Sequence, residues 1–137
     1  MKKGFTLVEL ILVITILGIL AVSALPRFID VTTEAEQASR DGVVGAVRAG
    51  IALARADDLV TNGAPGNYPA TLDGVADATD CGPTALCYAT ILTAGVSDAN
   101  WHKLTDTSYT FSDGTTTFTY TYNPAAGVGT FLSLTAP

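Results

Sequence analysis

The sequence predicts an α+β fold in which a long N-terminal α-helix packs on a C-terminal antiparallel β-sheet. Three observations carry this. Between Phe5 and Leu25 the chain is apolar with a single charge, Glu9. Val44, Val47, Ile51 and Ala54 then recur at three- and four-residue spacing, the period of one helix face. Near the C-terminus Phe118, Tyr120 and Tyr122 alternate with Thr119 and Thr121, the period of a half-buried strand.

The apolar run is the most specific of the three. At 1.5 Å per residue a helix of this length reaches about 30 Å, the thickness of a bilayer core. Lys2 and Lys3 precede it, so the N-terminus stays cytoplasmic and everything after Arg27 crosses the membrane. Val22-Ser23-Ala24 offers small residues where an ordinary signal peptidase would cut. Glu9 argues against a plain signal peptide and a plain anchor alike, because an ionised side chain inside a span costs about 2.5–3.5 kcal/mol on insertion scales and so implies a partner.

The helical pattern does not stop at the membrane segment. From Asp30 to Val60 the chain is rich in Ala, Val, Leu, Arg and Glu, and Asn62-Gly63 supplies the stop signal. If continuous, the two parts reach on the order of 80 Å. Pro26 removes a backbone donor and Gly18 weakens the turns before it, so the Gly18 to Pro26 stretch is where this helix bends or melts. Gly42, Gly45 and Gly50 are expected to let the helix pack closely against the sheet.

Lys2-Lys3-Gly4-Phe5-Thr6-Leu7-Val8-Glu9, followed by the apolar run, resembles the N-terminal motif of type IV prepilins and type II secretion pseudopilins. The likeness covers residues 1 to 30 and combines a basic leader, a glycine, an aromatic residue and an acid. It implies cleavage of the Gly4–Phe5 bond by a prepilin peptidase and N-methylation of the new terminus at Phe5. It also implies an assembly role for Glu9 with the Phe5 amine, and a helix kink at Pro26. The segment from Ala24 to Asp30 is most similar to the mannose-sensitive haemagglutinin type of pilin. Two features depart from the family: Cys81 and Cys87 enclose only a short loop, and the Asp-Pro-Trp-Gly segment of major pseudopilins is absent.

The C-terminal half is polar and turn-rich. Residues 62 to 104 lack sustained periodicity and are read as a loop region, with Leu86 to Leu92 as its one strand or short helix. Outside the reducing cytoplasm Cys81 and Cys87 are expected to form a disulfide, with Gly82-Pro83 turning the chain back. From Thr107 to Leu134 the reading is β, with Asp113-Gly114 as a two-residue hairpin turn that sets Tyr109 opposite Phe118. Asn123 to Gly127 gives a second turn, and the sheet is covered by the apolar side of the helix.

Composition narrows the function. A chain of 137 residues has room for one domain. The formal net charge is −6, and from Asp57 onward eight Asp face one Lys, Lys103, which repels nucleic acid. His102 is the sole histidine and reads as a solvated loop residue, so no His-based metal cluster or catalytic pair is expected. Asp73, Asp77 and Asp80 lie close in sequence without the spacing of a calcium loop.

No enzyme, metal or cofactor is expected. The resulting organisation is a leader at 1–4, a membrane and filament-core helix at 5–29, and an extracytoplasmic head at 30–137. Within that head the expectation is a helix over about 30–61, a loop region at 62–104 and a sheet over about 105–135. The expected function is a structural subunit of a type IV pilus-like surface filament for adhesion or motility, a homo-oligomer served by prepilin peptidase, the inner membrane and an assembly machinery. The alternative is a pseudopilin of a type II secretion or DNA-uptake machine.

Overall fold

The computed structural model describes residues 4–125 and 129–135, with the backbone alone at 25–30 and 133–135. Met1 to Lys3 of the leader, Ala126 and Gly127 of the second expected turn and the ring of Pro26 lie outside the described residues. The architecture is α+β: helix α1, Leu7–Asn62, precedes strands β1 (Thr79–Asp80), β2 (Trp101–Thr105), β3 (Ser108–Ser112), β4 (Thr117–Asn123) and β5 (Thr130–Thr135). The strands form one sheet in the order β1-β2-β3-β4-β5, every neighbour antiparallel. The chain divides into two compact units, Met1–Glu36 and Gln37–Pro137.

In the first unit α1 is helical from Leu7 through Gly18 and past the backbone of Pro26. Its 18-residue window Leu7–Ala24 has a mean hydropathy of 2.7, and none of it is buried within the chain.

In the second unit Val44, Val47, Gly50 and Ile51 form the buried stripe of α1. The strand pairing explains the other side of the core. Trp101 is paired with Phe111 and Phe111 with Phe118, while Lys103 is paired with Tyr109 and Tyr109 with Tyr120, so these rows share one face. Trp101, Tyr109, Phe111, Tyr120, Tyr122 and Phe131 from that face join Val44, Val47 and Ile51 in one cluster. Tyr88 completes it from the loop region, 4.5 Å from the Tyr109 ring centroid and edge-on to Trp101 at 5.6 Å. Ring pairs in such geometries add about 0.5–1.5 kcal/mol each beyond the area they bury. Three arginines of α1 tie it further: Arg40 lies over the Phe118 ring, Arg48 donates to the Phe131 carbonyl, and Arg55 donates to the Tyr68 hydroxyl.

Several expectations are corrected here. The β3–β4 connection is a four-residue loop rather than a two-residue turn. Ser112 pairs with Thr117, and Tyr109 faces Tyr120 instead of Phe118. The cause is Asp113, whose carboxylate accepts the N–H groups of Thr116 at 2.6 Å and Thr115 at 2.9 Å and so holds two further residues in the loop. Those two bonds, Thr116 first, also hold its carboxyl below the ordinary aspartate range. Gly114 adopts φ +82, as a turn residue must. The shift is by two residues, so the same side chains still face the core.

The sheet also begins earlier than Thr107, because β1 and β2 come out of the stretch read as loop. Leu86 to Leu92 forms turns, with Cys87 bridged to Val96. Of the three glycines only Gly50 packs closely, and its neighbour is a loop, not the sheet. A methyl built there would lie 2.8 Å from the Ile91 carbonyl oxygen, whereas Gly42 and Gly45 face open space.

Candidate functional site, the N-terminal helix end

Gly4, Phe5 and Thr6 precede the first turn of α1, and all three are exposed. The helix start is built by a reciprocal cap. Thr6 donates its backbone N–H and its hydroxyl to the same Glu9 oxygen, Oε2, each at 2.9 Å, and the Glu9 N–H returns a bond to the Thr6 hydroxyl at 3.3 Å. Thr-x-x-Glu is the capping box, in which two otherwise orphaned backbone donors are satisfied reciprocally, the Thr6 N–H by the carboxylate and the Glu9 N–H by the hydroxyl. Glu9 is therefore not a bare charge: its own chain engages Oε2. Among the described residues Oε1 has no hydrogen-bond partner.

Thr6 is the residue that reading the sequence for charge and hydropathy passed over. The signal was present, a threonine three positions before the acid at the head of an apolar run. Phe5 is 84% exposed, and nothing lies within 4 Å of a methyl built on Gly4. The Gly4–Phe5 bond thus stands in the open, next to the cap. Gly18 sits within the helix with no neighbour inside 4 Å of such a methyl. Thr15 and Ser23 turn their hydroxyls back onto helix carbonyls, Thr15 onto Ile11 and Leu12, Ser23 onto Leu20. Even the hydroxyls of this stretch are therefore satisfied without water, as a lipid or filament interior requires.

The remaining residues singled out from sequence lie in the head. Cys81 and Cys87 are disulfide-bonded, with Cα atoms 5.4 Å apart, and both are fully buried. His102 is not in a loop. It lies on β2, half-buried, with Nδ1 2.6 Å from Asp80 Oδ1 on β1.

The three aspartates do not converge on one centre. Asp80 serves His102, while Asp73 and Asp77 face Lys103, at 2.9 Å and 3.9 Å. Lys103 is fully buried and also donates to the Val75 carbonyl at 2.6 Å and to Asp106 at 2.9 Å. Desolvation, the largest influence, pulls its pKa down, but Asp106 and Asp73 together outweigh it and leave the ammonium above the ordinary lysine value. Asp73 takes the N–H of Tyr88 at 3.0 Å and the hydroxyl of Tyr109 at 2.8 Å on its other oxygen. It thereby holds Tyr88 at φ 60, a conformation a bulky side chain rarely adopts. Burial pushes the Tyr88 and Tyr109 phenols far up, and for Tyr109 the bond to Asp73 adds to it.

Comparison with known proteins bears on the first of these regions. A family model described as the prokaryotic N-terminal methylation motif matches residues 1–25. The chain is 54% identical over 52 residues to a type IV narrow pilus major component, PilA5, of Thermus thermophilus, which is 38% of this chain and 45% of that protein. It is 56% identical over 36 residues to the type IV major pilin protein PilE1 of Neisseria gonorrhoeae, 26% of this chain and 22% of that one. These matches span less than half the length of the curated relatives. No solved structure matches the chain. The motif and the bare apolar helix fit an inner-membrane-anchored precursor of a surface filament, and the relatives are structural subunits rather than enzymes. In its N-terminal methylation motif and the apolar helix that follows, the chain is similar to type IV pilins, and its helix-then-sheet architecture is consistent with that likeness.

Proposed function

We propose that this chain is a structural subunit of a type IV pilus-like filament, cut at Gly4–Phe5 by prepilin peptidase, N-methylated at Phe5 and assembled out of the inner membrane. The observation that carries the reading is the cap at the end of an unburied apolar helix. Glu9 uses one oxygen on Thr6 and keeps the other for a cation.

Cleavage supplies that cation. A free α-amine is mostly charged at neutral pH, so cleavage leaves a cation at Phe5, and methylation keeps the charge. In an apolar filament interior each ion alone is strongly unfavourable, and a close pair offsets much of that. Glu9 of an incoming subunit thus meets the Phe5 amine of one already in place and sets the axial register. A pair within one chain, four residues apart on the helix, is the alternative route to the same neutrality. Gly18 to Pro26 is the stretch that loosens once the helix leaves lipid.

The test is Glu9→Leu expressed as the sole subunit. The span becomes more apolar, so insertion and cleavage proceed, while filaments on the surface are lost. Wild-type filament numbers would refute the pairing. Gly4→Leu blocks cleavage and accumulates precursor, and sequencing the mature protein should begin at Phe5. A mature terminus at Leu25 would mean an ordinary secreted domain.

A further inference from the structure

Among the described residues Lys103 and Asp73 are the two charged residues buried in the head, with side chains 0% exposed. We propose that this pair condenses to an intramolecular amide between Lys103 Nζ and Asp73 Cγ, a covalent tie from β2 to the loop at residue 73.

The geometry supplies each group such a condensation needs. Lys103 Nζ lies 2.9 Å from Asp73 Oδ1, so the nitrogen that becomes nucleophilic on losing a proton is already against the carboxyl it attacks. The other oxygen, Oδ2, receives the Tyr88 N–H at 3.0 Å and the Tyr109 hydroxyl at 2.8 Å. Two fixed donors on that atom stabilise the negative charge that develops there when nitrogen adds to carbon. Asp106 Oδ1 lies 2.9 Å from Nζ on its own and is exposed on its far side, the position of a base that takes a proton from the ammonium and hands it on. The Val75 carbonyl at 2.6 Å fixes the amine further. Both side chains are fully buried, which keeps water from the product.

The step balances without any co-reactant. The reactants are an ammonium carrying three protons and a carboxylate. One C–N bond forms, the Cγ–Oδ1 bond breaks, and two of the three ammonium protons pass through Asp106 to Oδ1, which leaves as water. The amide keeps the third. Asp106 ends as it began, and nothing is oxidised or reduced. Two buried ions become one neutral amide, so the desolvation that burdens a buried ion pair is relieved, and the water departs to solvent. Because the ammonium is the resting form, the reaction is slow and follows folding. The closed ring would run from residue 73 to 103 and contain β1 and the disulfide.

Trypsin reads the bond directly. Arg55 and Lys103 are the last two basic residues, so a free Lys103 gives fragments 56–103 and 104–137. Full-length protein purified from membranes, then denatured, reduced and digested, should instead give one fragment, 56–137, lighter than its sequence mass by one water. Two fragments at their sequence masses would overturn the proposal. Lys103→Arg keeps the charge pair but has no amine to condense, and should always give two fragments. In Asp106→Asn protein that retains the Cys81–Cys87 bond, pulse-chase labelling should show the single fragment forming about a hundredfold more slowly. Formation at the wild-type rate would remove Asp106 from the step.

Discussion

The two stretches of α1 on either side of Glu36 are held by different things. Between Leu7 and Ala24 no part of the helix is buried in its own chain, and large apolar side chains such as Leu7, Ile19 and Val22 are more than 70% exposed. Between Val44 and Ile51 the same secondary structure has a stripe closed against aromatic rings. Most helical stability in proteins comes from packing one face rather than from propensity. The second stretch therefore carries its own reason to be helical, whereas the first has only the Thr6–Glu9 cap from within its own chain. Under the proposed function, a subunit that leaves one environment for another needs this asymmetry: a head that is finished alone and a helix that is not.

The comparison breaks most visibly at Lys103. Lys103→Met leaves Asp73 buried with neither an amide nor a counter-ion, and stranding a buried carboxylate in this way costs about 3–5 kcal/mol. Denaturant unfolding of the full chain in detergent should show that loss in the head. Adding Asp73→Leu restores only part of it, because the Tyr88 N–H and Tyr109 hydroxyl then lose their acceptor, each at about 1–3 kcal/mol. A single substitution costing under 1 kcal/mol would mean the pair is solvated.

Alkali tests the same core by another route. Tyr88 and Tyr109 have folded-state pKa values raised by burial, while in the unfolded chain both titrate near 10. A raised folded pKa gives stability that is whole below the unfolded value and lost as pH rises above it. With both phenols still protonated in the folded head, stability should fall by about 2.7 kcal/mol per pH unit above about pH 10. Tyr120 and Tyr122, also raised by burial, act in the same direction. Tyr88→Phe and Tyr109→Phe should each remove about 1.4 kcal/mol per pH unit from the slope, and an unchanged slope would place the phenols in water.

Next in size come the glycines of α1. Gly50→Ala drives a methyl toward the Ile91 carbonyl and should cost about 1–3 kcal/mol. Gly42→Ala meets nothing and should stabilise the head by about 0.5–1 kcal/mol through helix propensity. Equal signs for the two would contradict the packing described here.

How much of this the sequence discloses depends on how local the cause is. The buried stripe of α1 follows from periodicity, and the disulfide from two cysteines six apart with Gly82-Pro83 between them. Strand β2 was hidden because Trp101-His102-Lys103 puts a lysine in the buried slot, which spoils the apolar alternation a strand usually shows. That lysine becomes acceptable only through Asp73, thirty residues earlier, and no local pattern links them. The four-residue hairpin loop failed for a smaller reason: Asp113-Gly114 has the right residues, but the aspartate captures the two N–H groups beyond them. At the N-terminus the opposite holds. Thr6 and Glu9 are three apart, and their bond is legible once helix capping is considered alongside charge.

The smallest effect sharpens the comparison at that end. Thr6→Ala removes the hydroxyl that bonds Glu9 in both directions, and leaves the Thr6 backbone N–H as the carboxylate's remaining local donor. Loss of an N-cap side chain costs about 1 kcal/mol of helix stability, and the loss is confined to the first turn. Since the Leu7–Ala24 stretch buries nothing in its own chain, that cost has no route into the head's core. Hydrogen exchange in micelles should therefore show the amides of Leu7 to Leu10 opening about fivefold more often, with the head's unfolding midpoint unchanged. A Glu9 freed from its threonine is also less fixed in direction, so assembly should slow while insertion and cleavage continue. Thr6→Ser keeps the hydroxyl and should restore both exchange and assembly. A fall in the head's midpoint with Thr6→Ala would mean that the two stretches are not independently stabilised, and the division drawn at Glu36 would fail.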